Sequence, residues 1–237
     1  ERLLLNLELP IKGIALCRLE LGLSHMAAGD TARARTVLTR LGRGARFREA
    51  AGHAHYHLAR LDLAQGNWDT ARERLSAVAL ENAQADYAND ALELAVLVAE
   101  EQARPNSDST LLEAYSVCMR EELLGDEDSL LQAYEGFVQS LEPITLRESP
   151  VAARARLELA ELDFLAGRFA RGLSLCAAVA VDQPDGPFAA KALFRQGDIL
   201  FSIGDVDKAR HVWERLLIQY PVTLEAEDAR QLIRTLP

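Results

Sequence analysis

Apolar positions along this chain recur at helical spacing, in paired blocks hinged on glycine. Turn pairs stand at Gly29-Asp30, Gly66-Asn67, Gly125-Asp126, Gly167-Arg168 and Gly204-Asp205. Nine residues after each glycine come Leu38, Leu75, Tyr134, Cys176 and Trp213, and twelve after come Leu41, Val78, Phe137, Val179 and Leu216. The three-residue offset puts both sets on one helical face, where they fill a seam. Small residues mark two further offsets. Seven before each glycine stand Gly22, Ala59, Cys118, Ala160 and Gly197; five after stand Ala34, Ala71, Leu130, Gly172 and Ala209, small in four cases of five. The predicted unit is therefore a helix, a tight turn and a second helix lying close against the first, with no strands.

The units have a period. Gly29 to Gly66 is 37 residues, as is Gly167 to Gly204, a little above the ~34 of the basic helical-hairpin repeat. Pro143, Pro184 and Pro221 follow their turn glycines by 17 or 18 residues and stop the second helices, because proline lacks the donor a continuing helix needs. Gly42 and Gly44 serve that purpose in the first unit. The pattern divides the chain into the tail of a preceding helix (residues 1–10), two repeats (11–81), an irregular expanded repeat (82–143), two repeats (144–221) and a capping helix (222–237). In the expanded repeat the turn glycines Gly66 and Gly125 lie 59 residues apart, so an extra helix is expected. Asp86 to Ala103, Ser109 to Leu124 and Asp128 to Leu141 are the predicted helices there. Two arrangements suit them: a repeat of three helices, or one in which Ser109 to Leu124 is second helix to one hairpin and first helix to the next.

These offsets, clearest in PFAAKALFRQGDILFSIGDVDKARHVWERLLIQYP from Pro187 to Pro221, resemble the tetratricopeptide repeat family over nearly the whole chain. The resemblance implies an all-α fold, a right-handed superhelix or α-solenoid of antiparallel hairpins. The linkers in QPDGPFAAKALF and QYPVTLEAEDARQLI are similar to those of bacterial cell-envelope members, the outer-membrane assembly lipoproteins and the Tol-Pal coordinator. That likeness implies a scaffold that holds a protein or peptide partner and does no chemistry, in the periplasm or cell envelope, with the cytoplasm as the alternative. In this family the first helices line the concave side. In this register they present Leu16, Leu19, Glu20 and Leu23 from the first repeat and His53, Tyr56, His57 and Arg60 from the second. Arg154, Leu157, Glu158 and Glu161 follow from the fourth, and Lys191, Phe194, Arg195 and Asp198 from the fifth. The Lys and Asn with which chaperone-binding members grip a carboxyl terminus have no counterpart beside Lys191 and Arg195.

Composition narrows the functions. With 49% hydrophobic and 26% charged residues the chain can form a continuous core, and its 6% aromatic content suits thin helical layers that bury their faces by stacking. The net charge of −10 opposes nucleic-acid binding, since neutralising phosphates needs clustered cations. The arginine-rich stretch at Arg33, Arg35, Arg40, Arg43, Arg46 and Arg48 reads as an exposed helix end, with cations near its carboxyl-terminal dipole. No apolar run reaches the ~18 residues of a membrane span. Cys17, Cys118 and Cys176 lack metal-type spacing, and Cys118 and Cys176, at small-contact and seam positions, read as inert buried residues.

His53, His55 and His57 form the one cluster resembling a metal site. On a helix His53 and His57 share a face and His55 points away; a third ligand is missing, so neither metal nor other cofactor is expected. No nucleophile turn or phosphate-cradling loop occurs, and no catalytic residue is assigned. Leu3 to Leu9 reads as the end of an earlier hairpin, so the chain is expected to come from a longer array whose exposed ends offer surface for self-association. The alternatives to a partner-binding scaffold are a structural spacer in a longer protein and a metal-binding module at the histidines.

Overall fold

The computed structural model describes residues 11–44, 48–105, 109–124 and 126–236. The expected helix at Leu3 to Leu9 and the turn glycine Gly125 lie outside them. Among the described residues there are thirteen α-helices and no strand: α1 (Ile11–Ala27), α2 (Thr31–Gly42), α3 (Arg48–Ala64), α4 (Trp68–Glu81), α5 (Ala88–Ala103), α6 (Ser109–Leu124), α7 (Glu127–Ser140), α8 (Pro143–Glu148), α9 (Pro150–Leu165), α10 (Phe169–Asp182), α11 (Ala189–Ser202), α12 (Val206–Gln219) and α13 (Leu224–Thr235). They form two compact units, Glu1–Leu130 and Leu131–Pro237, which divide within α7.

The hairpin turns share one local geometry. Gly29, Gly66, Gly167 and Gly204 adopt φ of +73°, +76°, +73° and +85°, the left-handed region that a Cβ penalises. In each, the next residue's N–H donates to a carbonyl five positions back, as from Asp30 to His25 and from Asp205 to Leu200, both at 2.9 Å. That bond closes the first helix and reverses the chain. Asp30 and Asp205 then cap the following helices by accepting from the N–H of Arg33 and Lys208.

Small residues let the paired helices approach. A Cβ on Gly22 would stand 2.6 Å from the Leu38 side chain, and one on Gly197 would stand 2.2 Å from the Trp213 indole nitrogen. Ala34, Ala59, Ala71 and Ala209 are fully buried at the corresponding contacts, and Leu38, Leu75, Trp213 and Leu216 fill the seams beside them. The indole Nε1–H of Trp213 donates to the Phe194 carbonyl at 3.3 Å, so the largest seam residue is also oriented.

In the first unit α1 pairs with α2, α3 with α4, and α5 packs on α4. In the second, α9 pairs with α10 and α11 with α12, α8 lies against α9 and α10, and α13 covers α12 and α11. The segment Ser109 to Leu124, for which two arrangements were expected, forms α6. It does not run back along α5 as a hairpin partner; it packs on α3 and, less extensively, on α1.

Buried ion pairs brace the hairpins. Asp62 and Asp163 each lie four residues before a turn glycine and are almost wholly buried. Asp62 meets Arg35 at 2.8 Å and Arg74 at 3.2 Å, linking α3 to α2 and α4. Asp163 accepts from Arg168 at 2.6 Å and from Arg171, which also contacts Glu135. Two arginines on one carboxylate offset the cost of burying it.

Candidate functional site

The first-helix residues of the two units fall into different surroundings. In the first unit Leu19 is core, packed with Ala15, Met26, Leu38 and Leu58, and Leu23 lies partly buried against that cluster. Leu16 and Glu20, a turn away, are exposed. On α3, Tyr56 is buried and stacks on Tyr87 at the start of α5, with ring centroids 5.6 Å apart and 18° between planes. His53 meets the same tyrosine edge-on at 4.4 Å. Tyr87 fits because Gly52 has no side chain; a Cβ there would stand 1.9 Å from the phenol oxygen. Tyr56 thus joins α3 to α5 and is not displayed as a partner anchor. Tyr87 is not among the residues expected to face a partner; it opens YANDAL, which repeats the pattern of FAAKAL at Phe188, and Phe188 is buried at the same place in its repeat.

The three histidines separate. His55 turns toward α2, with Nε2 3.2 Å from the Gly42 carbonyl. His53 Nε2 lies 3.7 Å from an Asp86 carboxylate oxygen. Burial, with Arg60 and His53 close by, pushes the His57 imidazole down to about 4, so it is neutral at physiological pH. Among the described residues no three His, Cys, Asp or Glu side chains stand together as metal ligands. Cys118 and Cys176 are buried, Cys17 is half-buried, and burial pushes the Cys176 thiol up to about 12.

Arg60 meets Glu122 of α6 at 3.6 Å. Around that pair α6 crosses the first unit. Tyr115 is fully buried and stacks on Trp68, the first residue of α4, with centroids 6.2 Å apart. A Cβ on Gly66 would stand 3.7 Å from Ser116 Oγ, and one on Gly29 the same distance from Leu124. Leu123 packs against the core cluster that contains Leu19 and Met26. The helix therefore runs from the turn of the second hairpin to the turn of the first.

In the second unit the chosen residues are brought together on α9 and α11. Arg195 lies 3.2 Å from Glu161 of α9 and 3.5 Å from Asp198 on its own helix. Lys191, Phe194, Arg195 and Asp198 are all partly exposed on α11, as are Glu158 and Glu161 on α9. Two residues sit deeper than expected. Leu157 is buried, and Arg154 is 8% exposed, with its guanidinium 3.4 Å from Glu158 and 3.5 Å from the Tyr134 hydroxyl of α7.

Burial pushes the Asp198 carboxyl up to about 6, Glu161 and Asp228 adding to the effect and Arg195 opposing it. The folded unit then holds a proton that the unfolded chain has already released near pH 4. Stability from this group is present below the unfolded value and is lost as pH rises toward 6. Asp198→Asn, which mimics the protonated acid, is expected to raise the Tm at pH 7.5 and change it little at pH 4. Melts at the two pH values check this, and an equal shift at both would contradict it.

With this geometry in hand, the comparisons place two parts of the chain. Residues 25–93 match one tetratricopeptide repeat family model and residues 191–221 match another. Both stretches are similar to tetratricopeptide repeats. The first spans the end of α1 to the start of α5, the second most of α11 and all of α12, and α6 lies between the two. Tetratricopeptide repeats generally mediate protein–protein interaction. No curated protein matches the chain. Among solved structures it is similar to the nearly identical TPR-like repeats of a putative kinesin light chain from Podosopora anserina, at 16% identity. That alignment covers 90% of this chain and 95% of that one, with a TM-score of 0.43.

Proposed function

We propose that the chain is a non-enzymatic scaffold that binds a protein or peptide partner on the first-helix face of its second unit, within a larger assembly. The observation that carries this reading is the strip on α9 and α11 where Arg195 lies between Glu161 and Asp198, with Phe194 and Lys191 alongside. A partly exposed aromatic flanked by both signs of charge gives a partner apolar burial at the centre and polar contacts at the rim. The charges already paired within the strip fix its side chains before a partner arrives, which lowers the ordering cost of binding. The acidic balance of the whole chain favours protein over nucleic acid as that partner. The envelope setting rests on the linker style of QPDGPFAAKALF and QYPVTLEAEDARQLI.

The test is affinity capture from the source cell with the full chain and with a variant carrying Lys191→Ala, Phe194→Ala and Arg195→Ala. These positions are partly exposed, so the variant is expected to keep its helical circular dichroism and to lose captured proteins by at least about tenfold, the scale of ~1.4 kcal/mol. A structural spacer would lose nothing, and that result would reject the proposal.

A further inference from the structure

We propose that the face formed by α3 and α1 is a helix-binding surface which the chain fills with its own α6, and that its partner is an amphipathic helix carrying the α6 pattern. The inference rests on reading first-helix faces as protein-binding surfaces, and adds what one of them takes. The residues that α6 buries are Leu112, Tyr115, Cys118 and Met119, with Leu123 partly covered, a stripe at three- and four-residue spacing. Glu113, Ala114, Val117 and Arg120 on the other side are exposed. Such a helix presents one apolar edge to a groove, the mode by which amphipathic helices are recognised in trans.

Two observations mark α6 as an occupant and not a member of the repeat. The hairpins α1–α2 and α3–α4 close their seams through Gly22 on Leu38 and through Ala59, Ala71 and Leu75, none of which is supplied by α6. The helix leaves its sequence neighbour α5 and crosses to α3 and α1. Its contacts define the specificity: Tyr115 on Trp68, Leu123 on the α1 cluster, and the Glu122 carboxylate on Arg60. A competing helix needs an aromatic residue, an apolar residue four positions on, and an acid followed directly by an apolar residue three further on.

The experiment titrates a fluorescently labelled peptide of residues 109–124 into the full chain and into full chains carrying Tyr115→Ala or Glu122→Arg. With α6 seated, the surface is open in only a small fraction of molecules, and apparent affinity falls by that fraction. The wild-type chain is therefore expected to bind the peptide weakly. The Tyr115→Ala chain should bind at least about 30-fold more tightly and the Glu122→Arg chain several-fold more tightly. A peptide that itself carries Tyr115→Ala should bind none of them appreciably. Equal binding to all three chains, no binding to variants that remain helical, or equal binding of the altered peptide would overturn the proposal. So would unfolding of both variants, because α6 would then be an integral part of the unit. None of these outcomes touches Lys191, Phe194 or Arg195, so failure here leaves the reading of the second unit standing.

Discussion

Gly197→Val is expected to destabilise the second unit by about 3 kcal/mol, the upper range for overpacking a close-packed contact. A Cβ at this position would stand 2.2 Å from the Trp213 indole nitrogen, far inside van der Waals contact. The indole cannot easily retreat: it is fully buried and its N–H is engaged with the Phe194 carbonyl. Either α11 and α12 separate, opening voids around Leu193 and Leu216, or the indole turns and leaves a buried donor without its acceptor. For a unit of this size the loss corresponds to a fall in Tm of roughly 10 to 20 °C. Gly136→Ala is the control. That glycine lies in α7 with nothing within 4 Å of a built Cβ, so alanine should stabilise by about 0.5–1 kcal/mol through helix propensity alone. Thermal melts of the two variants check both signs. If Gly197→Val melted with or above the parent, the small-residue contact would not be what lets these helices pair.

The second large effect is expected at Tyr115. Truncating a fully buried aromatic costs about 3–4 kcal/mol, and Tyr115→Ala should remove that much of the free energy that seats α6. Because α6 is one helix laid over two closed hairpins, the loss should appear as local opening before global unfolding. Hydrogen exchange of the α6 amides is expected to accelerate by about 10²–10³-fold, the equivalent of that energy, while the amides of α11 and α12 keep their protection. Uniform acceleration across the chain would contradict a separately seated helix.

What the sequence made legible follows from how locally each feature is encoded. The turn at Gly204-Asp205 and the Gly197–Trp213 contact lie within one hairpin, at offsets set by helical geometry, and they are found where the offsets place them. The four described turn glycines share one φ region for the same reason. The strip of Glu161, Arg195 and Asp198 was legible because equivalent positions of adjacent first helices face the same way.

Other features depend on who the neighbour is, which no offset states. Tyr56 occupies a position that reads as displayed, yet Tyr87 from the next helix covers it, admitted by the missing side chain at Gly52. Leu19 reads as a contact residue and is core. Asp62 and Asp163 look like surface acids until arginines from other helices reach them; their shared place four residues before a turn glycine was the available signal. The path of α6 was least legible. Its apolar stripe specifies a helix with one buried face, and α5 was as good a candidate for that face as α3 and α1 until packing decided.

In the first unit α6 lies across the hairpins, and the most direct test of that placement is a double-mutant cycle between Trp68 and Tyr115, which are far apart in sequence and stacked in space. Stabilities of Trp68→Ala, Tyr115→Ala and the double variant, from denaturant unfolding, are expected to give a coupling energy of about 1 kcal/mol, the usual worth of an aromatic pair beyond its buried area. Strict additivity of the two substitutions would show that the rings do not meet, and would contradict the placement of α6.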